Sequence, residues 1–243
     1  MIIDFHAHCW SRDDAEEAMA RECERHGVDK VCISGLESPI PDLDEVKRLN
    51  DRCYKAARDY PGFYLPFVYV NPLHGRAGMS ELERGRDQGA VGLKLWISCY
   101  CTHPSVFAIV ERAIEWDWPV LQHAWHKAIG QYEGESDPLH VADLSRRYPE
   151  MKLVMAHFGG DWRYGLRAVR DCPGVIGDTS GSMTDNGLVE EWVKACGAER
   201  LIWGTDMPGA DLLLTLSKVR DADISAADKA LILGGNAARL LGI

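Results

Sequence analysis

Short apolar runs alternate with longer amphipathic stretches from one end of this chain to the other, and each apolar run stops at Gly, Pro, Asn, Asp or His. That rhythm predicts strand and helix in repeated succession. Strands are expected over 2–5, 30–34, 63–70, 91–97, 119–123, 152–157, 175–179 and 201–204, which makes eight. Helices are expected over 13–26, opening on Ser11 or Asp13 and stopping at Gly27, and then over 43–60, 81–88, 105–116, 139–148, 162–171 and 188–195. Two more, over 212–220 and 226–241, finish the chain. Parallel strands linked by helices form either an open sheet or a closed barrel. A closed barrel of eight such units takes about 250 residues, and the chain has 243. The expected fold is therefore α/β, a single TIM-like (β/α)8 barrel with extra C-terminal helices, occupying residues 1–243 as one domain. No fixed-period repeat or Pro/Gly/Ser-rich linker marks a second one.

The chemistry of the surface narrows the partners. With 27 Lys and Arg against 37 Asp and Glu, the formal charge is −10, which argues against nucleic acid or an anionic membrane surface. No apolar run approaches the roughly 18 residues of a membrane span. The chain enters a strand pattern at Ile2, with no basic start or small-residue cleavage site, so a cytoplasmic location and a small-molecule substrate are expected. Eight cysteines are scattered through helical and strand patterns and read as reduced thiols rather than a disulfide framework.

The histidines are more informative because of where they fall. His6 and His8 close the first strand with one residue between them, so alternation puts both imidazoles on one side. His123 ends the fifth strand, His157 the sixth, and Asp206 the eighth. Each alone is ordinary, since a strand-end His is usually hydrogen-bonded structure and a strand-end Asp a helix cap. Converging on the C-terminal mouth of one barrel, where such folds place their active sites, they offer nitrogen and oxygen donors suited to zinc or a similar divalent ion. Cys99, Cys101 and His103 alternate too, but lack a fourth ligand at metal-site spacing. Lys94 shares a strand face with Gly92 and Trp96 inside the barrel. It is expected as an ammonium neutralised by Asp4 or Asp178. Trp10, Trp96, Trp125 and Trp162 near strand ends suggest an aromatic-lined pocket for a flat, partly apolar substrate.

Taken in order, Phe5-His6-Ala7-His8, Gly92-Leu93-Lys94-Leu95, Gln122-His123-Ala124, Ala156-His157-Phe158-Gly159-Gly160, Trp203-Gly204-Thr205-Asp206-Met207-Pro208 and the closing Gly235-Asn236-Ala237-Ala238-Arg239 resemble the amidohydrolase superfamily. The likeness is to the amidohydrolase-related branch, which contains hydrolases and nonoxidative decarboxylases. It implies one divalent ion, expected as Zn with Mn, Fe or Co also suited, held by His6, His8, His123 and Asp206. It further implies Asp206 and His157 as catalytic groups, Asp206 taking a proton from water and His157 donating to a carbonyl oxygen. Lys94, Trp10, Trp96, Trp125, His126 and Arg163 are the expected substrate contacts, Arg163 as a partner for a carboxylate. The resemblance also leaves an alternative for Lys94, since some members carboxylate a fourth-strand lysine to bridge two metals. A homodimer is the expected assembly, since relatives are often dimers. The leading expectation is hydrolysis of a carbon ester, lactone or amide. Nonoxidative decarboxylation of an aromatic or unsaturated acid comes second, and a non-catalytic metal-binding barrel third. Specificity is expected from the excursions over 98–104 and 124–138.

Overall fold

Among the residues that the computed structural model describes, 1–10 and 14–243, eight parallel strands pair in chain order. They are β1 (Ile3–Cys9), β2 (Lys30–Gly35), β3 (Tyr64–Tyr69), β4 (Gly92–Leu95), β5 (Val120–Gln122), β6 (Leu153–Met155), β7 (Val175–Asp178) and β8 (Leu201–Ile202). Parallel neighbours need a crossover, and α1 (Ala15–His26), α2 (Leu43–Asp59), α3 (Arg76–Asp87), α4 (Pro104–Glu115), α5 (Pro138–Arg147), α6 (Trp162–Val169) and α7 (Leu188–Cys196) supply one between each pair. The chain then continues through α8 (Leu212–Arg220), α9 (Ala226–Ala230) and α10 (Asn236–Leu241). The predicted barrel and its C-terminal helices are thus the observed fold. The expected caps Ser11 and Asp13 lie outside the described residues.

Closure of the barrel falls on the segment that carries the site. Phe5 N–H donates to Trp203 O (3.1 Å), Asp206 N–H to His6 O (2.6 Å) and His8 N–H to Met207 O (2.7 Å). The backbone thereby stitches Asp206 to His6, and the next residue, Met207, to His8. The pairing of β1 with β2 is irregular between Asp4 and Ala7, and this changes which side chains face inward. Ile3 and Phe5 join the apolar cluster inside the barrel, whereas Ala7 and Cys9 pack outward into the helix layer. His6 and His8 are left facing the mouth.

Two helices differ from expectation for a packing reason. The third begins at Arg76 rather than residue 81, its amphipathic pattern being interrupted by glycines that close packing requires. A Cβ at Gly85 would stand 2.8 Å from Val68 Cβ and 2.9 Å from the Tyr54 hydroxyl. The predicted 226–241 helix is broken by a π turn over Leu231–Gly235. Ile232 O there accepts the Trp203 N–H at 2.9 Å, just past the two-residue β8.

Several predicted strands also stop short. β6 ends at Met155, so His157 is not a strand residue: it sits in a tight turn with φ 58°, and Phe158 follows with φ 50°. Left-handed backbone is costly for residues with a side chain. Here it turns the chain toward α6 and leaves the His157 ring over the barrel mouth.

Candidate active site

At the mouth, three side chains from the two ends of the chain come together. His6 Nε2 lies 3.1 Å from His8 Nε2, and Asp206 Oδ1 lies 3.0 Å from His8 Nε2 and 3.6 Å from His6 Nε2. The close approach depends on a missing side chain at Gly204, where a Cβ would stand 2.7 Å from His6 Cβ and 2.8 Å from Asp178 Oδ1.

Hydrogen bonds on the far side of each ring decide what these nitrogens offer. His6 Nδ1 donates to Asp178 Oδ2 at 2.6 Å, and His8 Nδ1 donates to Ser34, at 3.1 Å to Oγ and 3.3 Å to the carbonyl. With the proton on Nδ1, each Nε2 presents a lone pair, which is the form that binds metals. Burial drives His6 well below its ordinary pKa, and the nearby Lys94 charge adds to this. Burial alone would raise Asp206, but the facing imidazoles of His157, His8 and His6 outweigh it and hold the carboxyl well below its usual range.

These donors fit one divalent ion. Ligand atoms about 2.0–2.2 Å from one tetrahedral ion stand about 3.3–3.6 Å apart, and the trio's separations of 3.0, 3.1 and 3.6 Å are close to that spacing. Among the described residues, His6, His8 and Asp206 form the one group of this kind. Lys94 complicates the fit, because its Nζ lies 2.9 Å from His6 Nε2. A metal and a Lys94 ammonium contend for the same lone pair. Burial pushes Lys94 down to about 8, against the opposing pull of Asp206 and Asp178. Of the two carboxylates expected opposite Lys94, Asp178 contributes to this pull, after Asp206. Asp4 does not: it takes the Thr205 hydroxyl (2.6 Å) and backbone N–H (3.0 Å), fastening β1 to the segment after β8.

The remaining predicted residues divide. His123, His157, Lys94, Trp10, Trp96 and Trp125 line one cavity of about 600 Å³ with His8 and Asp206. His123 stands apart from the trio, its Nε2 3.0 Å from Glu135 Oε1. Glu135 is buried and further held by Lys127 and Gln131. Burial would raise its pKa, but His123, Lys127 and the Tyr132 N–H outweigh that and lower it. His157 Nδ1 lies 2.9 Å from Ser180 Oγ. Because Ser180 Oγ spends its single proton on Asp178 Oδ2 at 2.7 Å, it accepts from His157. Neutral His157 thus carries its proton on Nδ1 and leaves Nε2 as an acceptor for the cavity.

Two expected contacts lie elsewhere. His126 stacks on Tyr164, with centroids 3.9 Å apart, and is absent from the cavity lining. Arg163 is exposed, paired with Asp185 at 3.0 Å and laid over Trp162. Trp162 is likewise turned away, its Nε1 donating to Asp185 at 2.7 Å. His103 Nδ1 accepts from Ser105 N–H at the start of α4, and no metal group forms there among the described residues. Ser34 and Ser180 are not among the expected residues, although Ser34 lies at the end of β2 and Ser180 just past β7, the position that singles out the histidines. Glu135 carried no such signal, since it lies in an irregular loop far from any strand end.

A family model described as Amidohydrolase matches residues 3–243. The chain belongs to the amidohydrolase family. A search of curated proteins finds no match. Among solved structures, 2,6-dihydroxybenzoate decarboxylase from Rhizobium shares 17% identity, covering 99% of this chain and 98% of that one, with a TM-score of 0.82. A dihydroxybenzoic acid decarboxylase from a Polaromonas species, with bound manganese and 2-nitroresorcinol, shares 17% over 99% and 96%, with a TM-score of 0.79. A probable 2-pyrone-4,6-dicarboxylic acid hydrolase from Acinetobacter baumannii shares 17% over 100% and 99%, with a TM-score of 0.72. At such identities the likeness is one of fold. Within this amidohydrolase, no helix of the described residues is long and apolar enough to cross a membrane.

Proposed function

We propose that this amidohydrolase is a metal-dependent hydrolase that cleaves an ester, lactone or amide bond of a flat, partly apolar molecule. The observation that carries the reading is the convergence of His6 Nε2, His8 Nε2 and Asp206 Oδ1 at a cavity onto which His157 Nε2 opens as an acceptor. His6, His8 and Asp206 would hold a divalent ion, zinc or manganese, which would lower the pKa of a water beside it toward about 7. His123, on the same cavity wall, is the fourth group the family resemblance assigns to that ion.

The protein's own groups then do the following. Asp206, with one oxygen against His8, keeps its carboxylate charged beside the incoming water and is placed to take its proton. His157 offers a second acceptor on the same cavity; once protonated, it donates to the oxygen on which charge builds, a role in which one preorganised donor contributes about 3 kcal/mol. Trp10, Trp96 and Trp125 flank the space and fit a planar group, excluding water as it enters. Lys94 adds positive potential beneath the site. The same tryptophan walls give specific support to the second reading, nonoxidative decarboxylation of an aromatic acid, in which Asp206 or His157 delivers the proton to carbon.

The test is turnover by zinc- or manganese-reconstituted protein on a panel of aryl esters, lactones, amides and aromatic acids. Water-dependent cleavage is expected. Removing an outer partner of a metal ligand costs about 10–100-fold, so Asp206→Asn, which alters a ligand itself, should lose more than about 100-fold. Release of CO₂ without hydrolysis moves the assignment to the decarboxylase, and uptake of less than about one ion per chain defeats both.

A further inference from the structure

Ser180 is the hub of the polar floor beneath the cavity, and its position is fixed from outside the barrel. Its hydroxyl lies within 3.0 Å of His6 Nδ1, His157 Nδ1 and Asp178 Oδ2, and its N–H donates to Asp178 Oδ1 at 2.8 Å. On either side, Thr179 N–H and Gly181 N–H donate to Ile202 O (3.0 Å) and Thr205 O (3.2 Å), which ties one edge of the segment to β8 and the residues just after it. The other edge is held by a single side chain. Lys218 of α8 donates from Nζ to Thr179 O at 2.9 Å and to Gly181 O at 2.6 Å, the two carbonyls flanking Ser180. The segment passes so close to His157 that a Cβ at Gly181 would stand 3.1 Å from its Nδ1.

We propose that Lys218 is a positioning residue: by clamping the carbonyls on both sides of Ser180, it holds the Ser180 hydroxyl where it accepts from His157 Nδ1 and so keeps His157 Nε2 an acceptor toward the cavity. An imidazole without a partner at Nδ1 carries its proton on either nitrogen. In the Nε2–H form it can no longer accept a proton from the cavity. Lys218 is in neither the cavity lining nor the metal-binding trio, and its hydrogen bonds reach His157 only through the segment that carries Ser180. Its charge is also felt by Asp178 and Asp206, and Lys218→Arg keeps that charge. The catalytic consequence rests on the hydrolase reading, whereas the tautomer itself does not.

The experiment is a long-range ¹H–¹⁵N correlation spectrum of histidine-labelled protein, which distinguishes Nδ1–H from Nε2–H, recorded metal-free and with zinc. The His157 signal is assigned by its loss in His157→Gln. The wild type should show His157 as Nδ1–H in both states. Ser180→Ala should shift it toward Nε2–H, Lys218→Met should shift it partway, and Lys218→Arg, which keeps the donors, should restore the wild-type signal. His6 and His8 should stay Nδ1–H in Lys218→Met, since Asp178 and Ser34 hold them. A folded Lys218→Met protein with an unchanged His157 signal overturns the proposal, as does a wild type in the Nε2–H form. If Lys218→Met does not fold, Lys218→Gln, polar and too short to reach both carbonyls, is read with the same two outcomes. Failure of the functional reading would appear instead as absent turnover with these signals intact.

Discussion

The inside of the barrel is two different materials. Its floor is Ile3, Phe5, Phe67, Leu121, Val154, Ile176 and Ile202, closed below by Ala237 and Leu240 of α10. One layer higher the inward positions are His6, Lys94, Asp178 and Ser180, buried just as completely. The floor gains free energy from burial at about 25 cal/mol per Å². The mouth spends it, because burying charged and polar groups is unfavourable unless each finds a partner. The barrel thus carries its stability at one end and its reactive groups at the other, and the two ends should respond to mutation in different observables.

The largest expected effect is on the floor. Phe67 packs edge-on against Phe5, with centroids 5.3 Å apart, and its ring covers Gly92 so closely that a Cβ there would stand 2.6 Å away. Phe67→Ala should cost about 3–5 kcal/mol in urea unfolding, with zinc affinity near wild type in the protein that remains folded. A large loss of affinity at small cost in stability would abolish the contrast between the layers. At the mouth the reverse is expected. Asp178→Asn removes the carboxylate that fixes the His6 ring at 2.6 Å, and zinc affinity by competition titration should fall about 10–100-fold. Its unfolding free energy should change less than that of Phe67→Ala.

The same contrast explains what could be read from sequence. The floor and the helix layer are legible because burial on both faces makes each strand a short apolar run, while burial on one face gives helices a period of about 3.6, and all eight strands are placed by those runs. The His6, His8 and Asp206 cluster was legible because strand ends of a barrel meet at one mouth. What escaped were contacts decided by a bend or a loop. Arg163 and His126 follow strand ends in sequence, yet helix α6 carries Arg163 out to Asp185, and Tyr164 captures the His126 ring. His157 was assigned to a strand because Leu153 to Ala156 is apolar, but Gly159 and Gly160 let the chain turn two residues earlier. Glu135 reaches His123 from a loop, and no periodicity reports on a loop.

The smallest expected effect separates the layers by pH and falls on Lys218. It is half-buried beneath the site, where burial lowers it from 10.5 to about 8 against the opposing pull of Asp178 and Asp206. Asp221 and Glu190 share a shallow cleft with it on the outer side. Its folded pKa lies below its unfolded one, so the unfolded chain binds the extra proton between those values. The ammonium then penalises the folded state below about 8, and the penalty is relieved as pH rises toward 10.5. Each unit is worth about 1.4 kcal/mol, which sets a ceiling of about 3 kcal/mol; with partial exposure an effect on the order of 1 kcal/mol is expected. Urea unfolding of wild type and Lys218→Met, followed from pH 7.5 upward to roughly 10.5, should show the wild type gaining on the variant by that amount. Phe67→Ala, which touches no titrating group, should track the wild type across the same range. Parallel curves for wild type and Lys218→Met would mean that the two carbonyls compensate the ammonium fully, and that the mouth exacts no charge-burial cost at this position.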